Sequence, residues 1–168
     1  MSRLTEFYRG EANDTSGRSL AEIQGYSDQR LESVHDFIQW LFPLRERSQF
    51  NPGAPLLTDA DVAEFRADPL LRRNLLRSFD VFLAFLGLTS EDGKVINAGD
   101  FDVKSDVWRF PNHNWLRITR VLASTRMLGL EASSLAFYAF LKTLKESGRS
   151  GITDDTFGYW TRAAGGEN

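Results

Sequence analysis

The segment ADPLLRRNLLRSFDVFLAFLG, Ala67 to Gly87, leaves little structural choice. Leu71, Leu75, Phe79, Phe82 and Leu86 recur at the 3.6-residue period of one helix face. Arg73, Arg77 and Asp80 fall on the opposite face. Asp68 is placed to cap the start, Pro69 fits a first turn that needs no N–H, and Gly87 fits the stop. A helix with a single apolar stripe must bury that stripe against other elements. The question is what the rest of the chain supplies.

It supplies more helices of the same kind. In DQRLESVHDFIQWL, Leu31, Val34, Ile38 and Leu41 keep helical spacing with Phe37 beside them, which predicts one helix with Asp28 as the cap at its start. Pro43 disfavours helical geometry at Phe42, so this helix should end near Leu41. A loop rich in Pro and Gly follows. Thr58 and Asp61 form a capping box for a short helix over Asp59 to Ala67. NHNWLRITRVLASTRMLG predicts a helix closed by Gly129. SSLAFYAFLKTLKESG predicts another, capped by Ser133 or Ser134 and closed by Gly148. TDDTFGYWTRAAGG predicts a last one, with Thr153 as its cap, Asp154 and Asp155 in the first turn, and Phe157 and Trp160 as its anchor.

Between Leu88 and Phe110 the chain turns polar. This is expected to be a long surface excursion, with Val95, Ile96 and the Phe101/Val103 pair as candidates for a short hairpin. The fold class is all-α: a single-domain bundle of roughly six to eight helices over 1–164, followed by a frayed tail at 165–168. With 168 residues, 13 Phe and 4 Trp, the chain has material for one bulky core.

Composition narrows the function classes. There is no Cys, so thiolate catalysis, disulfides and thiolate-held metals are excluded. The net charge of −3 argues against a nucleic-acid partner, and the basic run Arg72, Arg73, Arg77 reads as a solvated helix face. The N-terminal residues lack a signal-peptide core and no apolar run reaches membrane-spanning length, so a soluble cytoplasmic protein is expected.

Two polar clusters stand out. His35, Asp36 and Gln39 interrupt the apolar run HDFIQWLFPL beside Trp40. His113, Arg117, Arg120 and Ser124 share one helical face, with Asn114 next to it. From Val107 to Leu130 there are four arginines and no acid. Guanidinium groups suit carboxylate or phosphate, and imidazole adds a donor, so the cluster reads as an anion site. The competing reading is a structural network, with Arg117 and Arg120 paired to acids such as Glu32 or Asp36. His35–Asp36 alone is too few ligands for a metal, and no nucleophile elbow or phosphate loop is present. No catalytic residue, metal or cofactor is therefore expected, although an enzyme built on the Arg/His anion site stays open as a third reading.

HDFIQWLFPLRERSQFN (His35 to Asn51) and HNWLRITRVLASTRMLGLE (His113 to Glu131) together resemble the conserved domain of the opioid growth factor receptor family. FYRGEANDTSG, LTDADVAEFRADPLLRRNLLRSFDVFLAFLGL, FYAFLKTL and FGYW extend the resemblance over most of Glu6 to Ala163. It implies a predominantly helical domain without known catalytic residues. It also implies that animal relatives bind the peptide Met-enkephalin and associate with the nucleus. The binding site expected on this basis comprises His35, Asp36, Gln39, Trp40, His113, Asn114, Arg117 and Arg120. Asp36 and Glu32 would take a peptide amine, Arg117 and Arg120 its carboxylate, and Trp40, Phe42 and Trp115 an apolar side chain. The alternative is a protein–protein interaction scaffold whose polar motifs serve only the fold.

Overall fold

Capping side chains, prolines and glycines cut the chain into short helices. The computed structural model describes residues 1–167. Its helices are α1 (Arg3–Arg9), α2 (Leu20–Gln24), α3 (Asp28–Ser33), α4 (Ile38–Leu41), α5 (Asp59–Ala67), α6 (Pro69–Phe85), α7 (His113–Met127), α8 (Glu131–Glu146) and α9 (Asp154–Ala163). A hairpin, β1 (Leu88–Glu91) and β2 (Lys94–Asn97), follows α6. The mostly helical class expected from periodicity is what forms. Two compact units divide the chain after Val81, within α6. Among the described residues no helix is long and apolar enough to cross a membrane.

In the first unit, Ser2 caps α1 and Thr58 caps α5, each completing a capping box, as read for Thr58 and Asp61. The Ser2 hydroxyl also donates to Asp61 Oδ1 at 2.5 Å, so the two helix starts hold each other. The core gathers Leu4, Phe7, Tyr8, Phe37, Trp40, Leu41, Phe42 and Phe65, all buried. Phe7 meets Trp40 edge-on at 5.1 Å, and Tyr8 meets Phe65 at 5.2 Å. Asp68 accepts from the Leu70 N–H at 2.8 Å, the cap expected at the start of α6. Leu71, Leu75 and Phe79 are buried, while Arg73, Arg77 and Asp80 are exposed.

One helix expected here does not form. DQRLESVHDFIQWL is two helices, the first capped by Ser27 rather than Asp28, separated at Val34, whose backbone is extended (ψ 129°). The cause is long-range. The Asp36 carboxylate is held by Arg18 at 2.8 Å, and its carbonyl accepts from Asn51 Nδ2 at 3.0 Å. These partners outweigh the local ladder, and a helical stripe of apolar residues survives a break that periodicity cannot register.

In the second unit, Gly87 (φ 77°) ends α6, and Phe82 and Leu86 are buried. The polar excursion contains an antiparallel hairpin that includes Val95 and Ile96, as expected, but not the Phe101/Val103 pair. Leu88–Glu91 pairs with Lys94–Asn97, and Phe101 and Val103 lie outside the ladder. Asp92 (φ 51°) and Gly93 (φ 75°) make the turn. An Asp-Gly pair suits a tight hairpin turn because both residues reach positive φ easily. β2 lies against α8. A 3₁₀ turn, Ser105–Trp108, leads towards α7.

Helix α8 starts earlier than its serines suggested, at Glu131 after Leu130. Ser134 is not a cap: it is fully buried and donates to the Leu122 carbonyl at 2.8 Å, fastening α8 to α7. Thr153 caps α9 as expected. The Trp160 indole donates to the Trp115 carbonyl at 3.1 Å. Gly165 (φ 93°) and Gly166 close α9 through N–H bonds to Arg162 and Thr161. Of the tail expected from 165, Asn168 lies outside the described residues.

Candidate functional site

Four of the eight candidate residues lie in the first unit. The Asn13–Arg18 turn prepares their surroundings. Asp14 is buried and accepts from the backbone N–H of Ser16 (3.0 Å) and of Arg18 (2.9 Å). Its second oxygen takes the Arg18 Nε at 2.8 Å. Arg18 then reaches Asp36 through Nη1 at 2.8 Å. Burial opposes the charge on Arg18, but its two carboxylate partners prevail and raise its pKa. Asp36 is thus committed to Arg18, with Ser16 Oγ at 3.4 Å.

His35 is exposed at the break between α3 and α4. Gln39 and Trp40 sit on α4 and are buried, with 4% and 1% of their surface exposed. The Gln39 amide donates to Ser48 Oγ at 3.3 Å. Among the described residues its Oε1 has no partner, and neither does the buried Trp40 Nε1. Two neighbouring side chains thus each carry an orphaned buried polar atom.

The other four candidates lie on α7 in the second unit. Asn112 caps this helix, accepting from the Asn114 N–H at 3.0 Å. Its amide donates back to the carbonyls of Val107 (2.8 Å) and Phe110 (2.7 Å), which ties the preceding loop to the helix start. The Trp115 indole donates to the Val107 carbonyl as well, at 2.7 Å. His113 is exposed, Arg120 is half-buried, and Asn114 and Arg117 are buried. Arg117 Nη1 donates to Asn114 Oδ1 at 3.4 Å, and only 6% of Arg117 is exposed. Ser124, on the same face, is buried with an unpartnered hydroxyl.

Trp40, Phe42 and Trp115 are core residues, whereas Phe50 is exposed. Sequence reasoning missed Asp14, Arg18 and Asn112. The first two belong to NDTSGR, whose Asx-turn composition was a usable signal. Asn112 stands where an N-cap residue belongs. Among the described residues, no group of three or more His, Asp or Glu is placed to hold a metal ion.

Residues 6–166 match the model of the opioid growth factor receptor conserved region. The rat opioid growth factor receptor is 38% identical over 132 residues, covering 74% of this chain and 23% of that protein. The human opioid growth factor receptor is 36% identical over the same length, covering 74% of this chain and 19% of that protein. Mouse opioid growth factor receptor-like protein 1 is 36% identical over 115 residues, covering 67% of this chain and 25% of that protein. The chain therefore spans about a quarter or less of the length of these curated relatives. No solved structure matches.

Proposed function

Because the chain belongs to the opioid growth factor receptor conserved-region family, we propose that it is a binding domain, without catalysis, for an enkephalin-like peptide or a small anionic ligand. The observation that carries this reading is the pair of orphaned atoms in the first motif, Gln39 Oε1 and Trp40 Nε1. Buried polar groups in native proteins nearly always have partners, so two adjacent orphans call for an explanation, and a bound ligand supplies one. Taken by itself, the second motif also offers cations: Arg117 and Arg120 lie on one face of α7, three residues apart, and guanidinium groups suit a carboxylate.

Calorimetric titration with Met-enkephalin tests the reading. Wild type should bind saturably, and Arg120→Ala and Arg117→Ala should weaken that binding by about tenfold each, the effect of one charge-assisted hydrogen bond. Equal heat and affinity for wild type and both variants would show the assignment to be wrong.

A second reading is favoured by one contact. Arg117 is buried and bonded to Asn114 within its own helix. That fits an interaction scaffold in which the motif is structural. It predicts that Arg117→Ala lowers the melting temperature by leaving polar groups unpaired. Unchanged melting together with lost binding rejects it.

A further inference from the structure

The second unit carries a cleft of about 410 Å³ lined by Phe101, Trp108, Phe140 and Leu144, with Asp102 and Arg149 among its polar members. That volume falls in the range of small-molecule sites, roughly 300–1,000 Å³. Its walls are aromatic: Phe140 stands edge-on to Phe101 at 6.2 Å and tilted against Trp108 at 6.4 Å. The Trp108 indole N–H, buried in that wall, has no acceptor among the described residues.

The charges at this cleft are distinctive. Neighbouring ions are paired, Lys104 with Asp100 at 2.8 Å and Arg109 with Asp106 at 3.3 Å. Asp102 and Arg149 are exposed, and among the described residues neither side chain has an ion-pair or hydrogen-bond partner. The hydroxyls of Ser105 and Ser147 already donate to the carbonyls of Asp102 (2.8 Å) and Leu144 (2.6 Å). Arg149 is not on a loose loop. Its N–H donates to Ser147 Oγ at 3.2 Å, and the Gly151 N–H donates to the Trp108 carbonyl at 2.8 Å.

We propose that this cleft binds a small aromatic zwitterion the size of a free aromatic amino acid. Its ring lies among Phe101, Trp108 and Phe140, where aromatic edges favour an aromatic partner. Its carboxylate pairs with Arg149 and its ammonium with Asp102. One acid and one base lining the same cleft sum to zero charge, so they select a ligand carrying both signs over a simple anion or cation. The site shares no residue with the eight motif residues, so it stands or falls apart from the peptide reading.

Isothermal titration of the full chain with three probes tests it: L-phenylalanine, L-phenylalaninamide and N-acetyl-L-phenylalanine. Phenylalanine should bind saturably, and each analogue, lacking one charge, should bind about tenfold more weakly. Arg149→Ala should abolish the preference for phenylalanine over the amide, and Asp102→Ala the preference over the acetyl form. Both side chains are exposed, so melting temperatures should not move. No saturable heat with phenylalanine, equal affinity for all three probes, or unchanged preferences in the variants would overturn the proposal.

Discussion

The backbone of Gly151 rests against the carbonyl of Arg109. A Cβ built at position 151 would stand 1.8 Å from that oxygen, far inside any van der Waals contact. The Gly151 N–H donates to the Trp108 carbonyl at 2.8 Å, so the loop before α9 is pinned to the segment before α7. Glycine is required here by space, and its φ does not fall in the left-handed region. Gly151→Ala must push the two segments apart, breaking this bond. We expect a loss of about 2–3 kcal/mol, the upper range for forced overpacking with a backbone shift. Urea denaturation measures it, and a loss under about 0.5 kcal/mol, typical of an inconsequential surface change, would contradict the close approach.

Arg18 joins two acids of unequal burial. The Asp14 side chain is wholly buried, while half of the Asp36 side chain is exposed. Replacing Arg18 by Met keeps much of the apolar stem but leaves the Asp14 carboxylate inside without its cation. Breaking a buried pair from one side costs about 3–5 kcal/mol; the exposed edge of this pair puts the expectation near the lower end. Asp14→Asn in the Arg18→Met background should restore part of the loss, since the leftover charge is then gone. Equilibrium denaturation of the two variants distinguishes charge burial from simple loss of packing.

Tyr8 makes a pH prediction. Its hydroxyl donates to the Leu41 carbonyl and lies 3.0 Å from Ser78 Oγ, deep in the first unit. Burial pushes its phenol well above the ordinary tyrosine value, and the Ser78 bond only partly offsets this. The folded pKa is raised, so the contribution is fully present below pH ~10, the unfolded value, and declines as pH rises beyond it. Tyr8→Phe should cost about 1–2 kcal/mol at neutral pH through the lost hydrogen bonds. The gap between wild type and variant should narrow above pH ~10, because only the wild type has this proton to lose on unfolding. Denaturation curves across pH 8–11 read that narrowing; a constant gap would mean the phenol ionises alike in both states.

Legibility differed by the range of the forces involved. Helices α5, α6 and α9 are readable because cap and stripe agree locally, as with Thr58, Asp61 and Asp68. The break at Val34 was not, because Arg18 and Asn51 impose it from 16 and 17 residues away. Val95 and Ile96 are in the hairpin as their apolar character suggests, but their partner strand is set by the Asp92-Gly93 turn and lies before them, at Leu88–Glu91, not at Phe101 and Val103. Ser134 has the hydroxyl that favours helix starts, yet it uses it in a tertiary bond to Leu122. At the candidate site, the Arg117–Asn114 pair follows helical i, i+3 spacing and could be read. The Arg18–Asp36 bond joins residues 18 apart across a turn and two helices, and no periodicity encodes it.

Gln39 separates a ligand-binding motif from a purely structural one. Its Nε2 makes one long bond to Ser48, and its Oε1 makes none. Ser48 Oγ keeps two other donors, the N–H groups of Phe50 and Asn51, both at 3.2 Å. Removing the amide therefore strands almost nothing, while an apolar side chain of similar volume removes the unpaired carbonyl. Replacing such a group by an apolar one of the same shape is nearly neutral or stabilising. We expect Gln39→Leu to change stability by between 0 and about +1 kcal/mol. If the orphan serves a ligand, the same variant should lose peptide affinity in the calorimetric titration. A clear destabilisation would instead mean that the amide helps hold the fold, and would move the first motif to the scaffold reading.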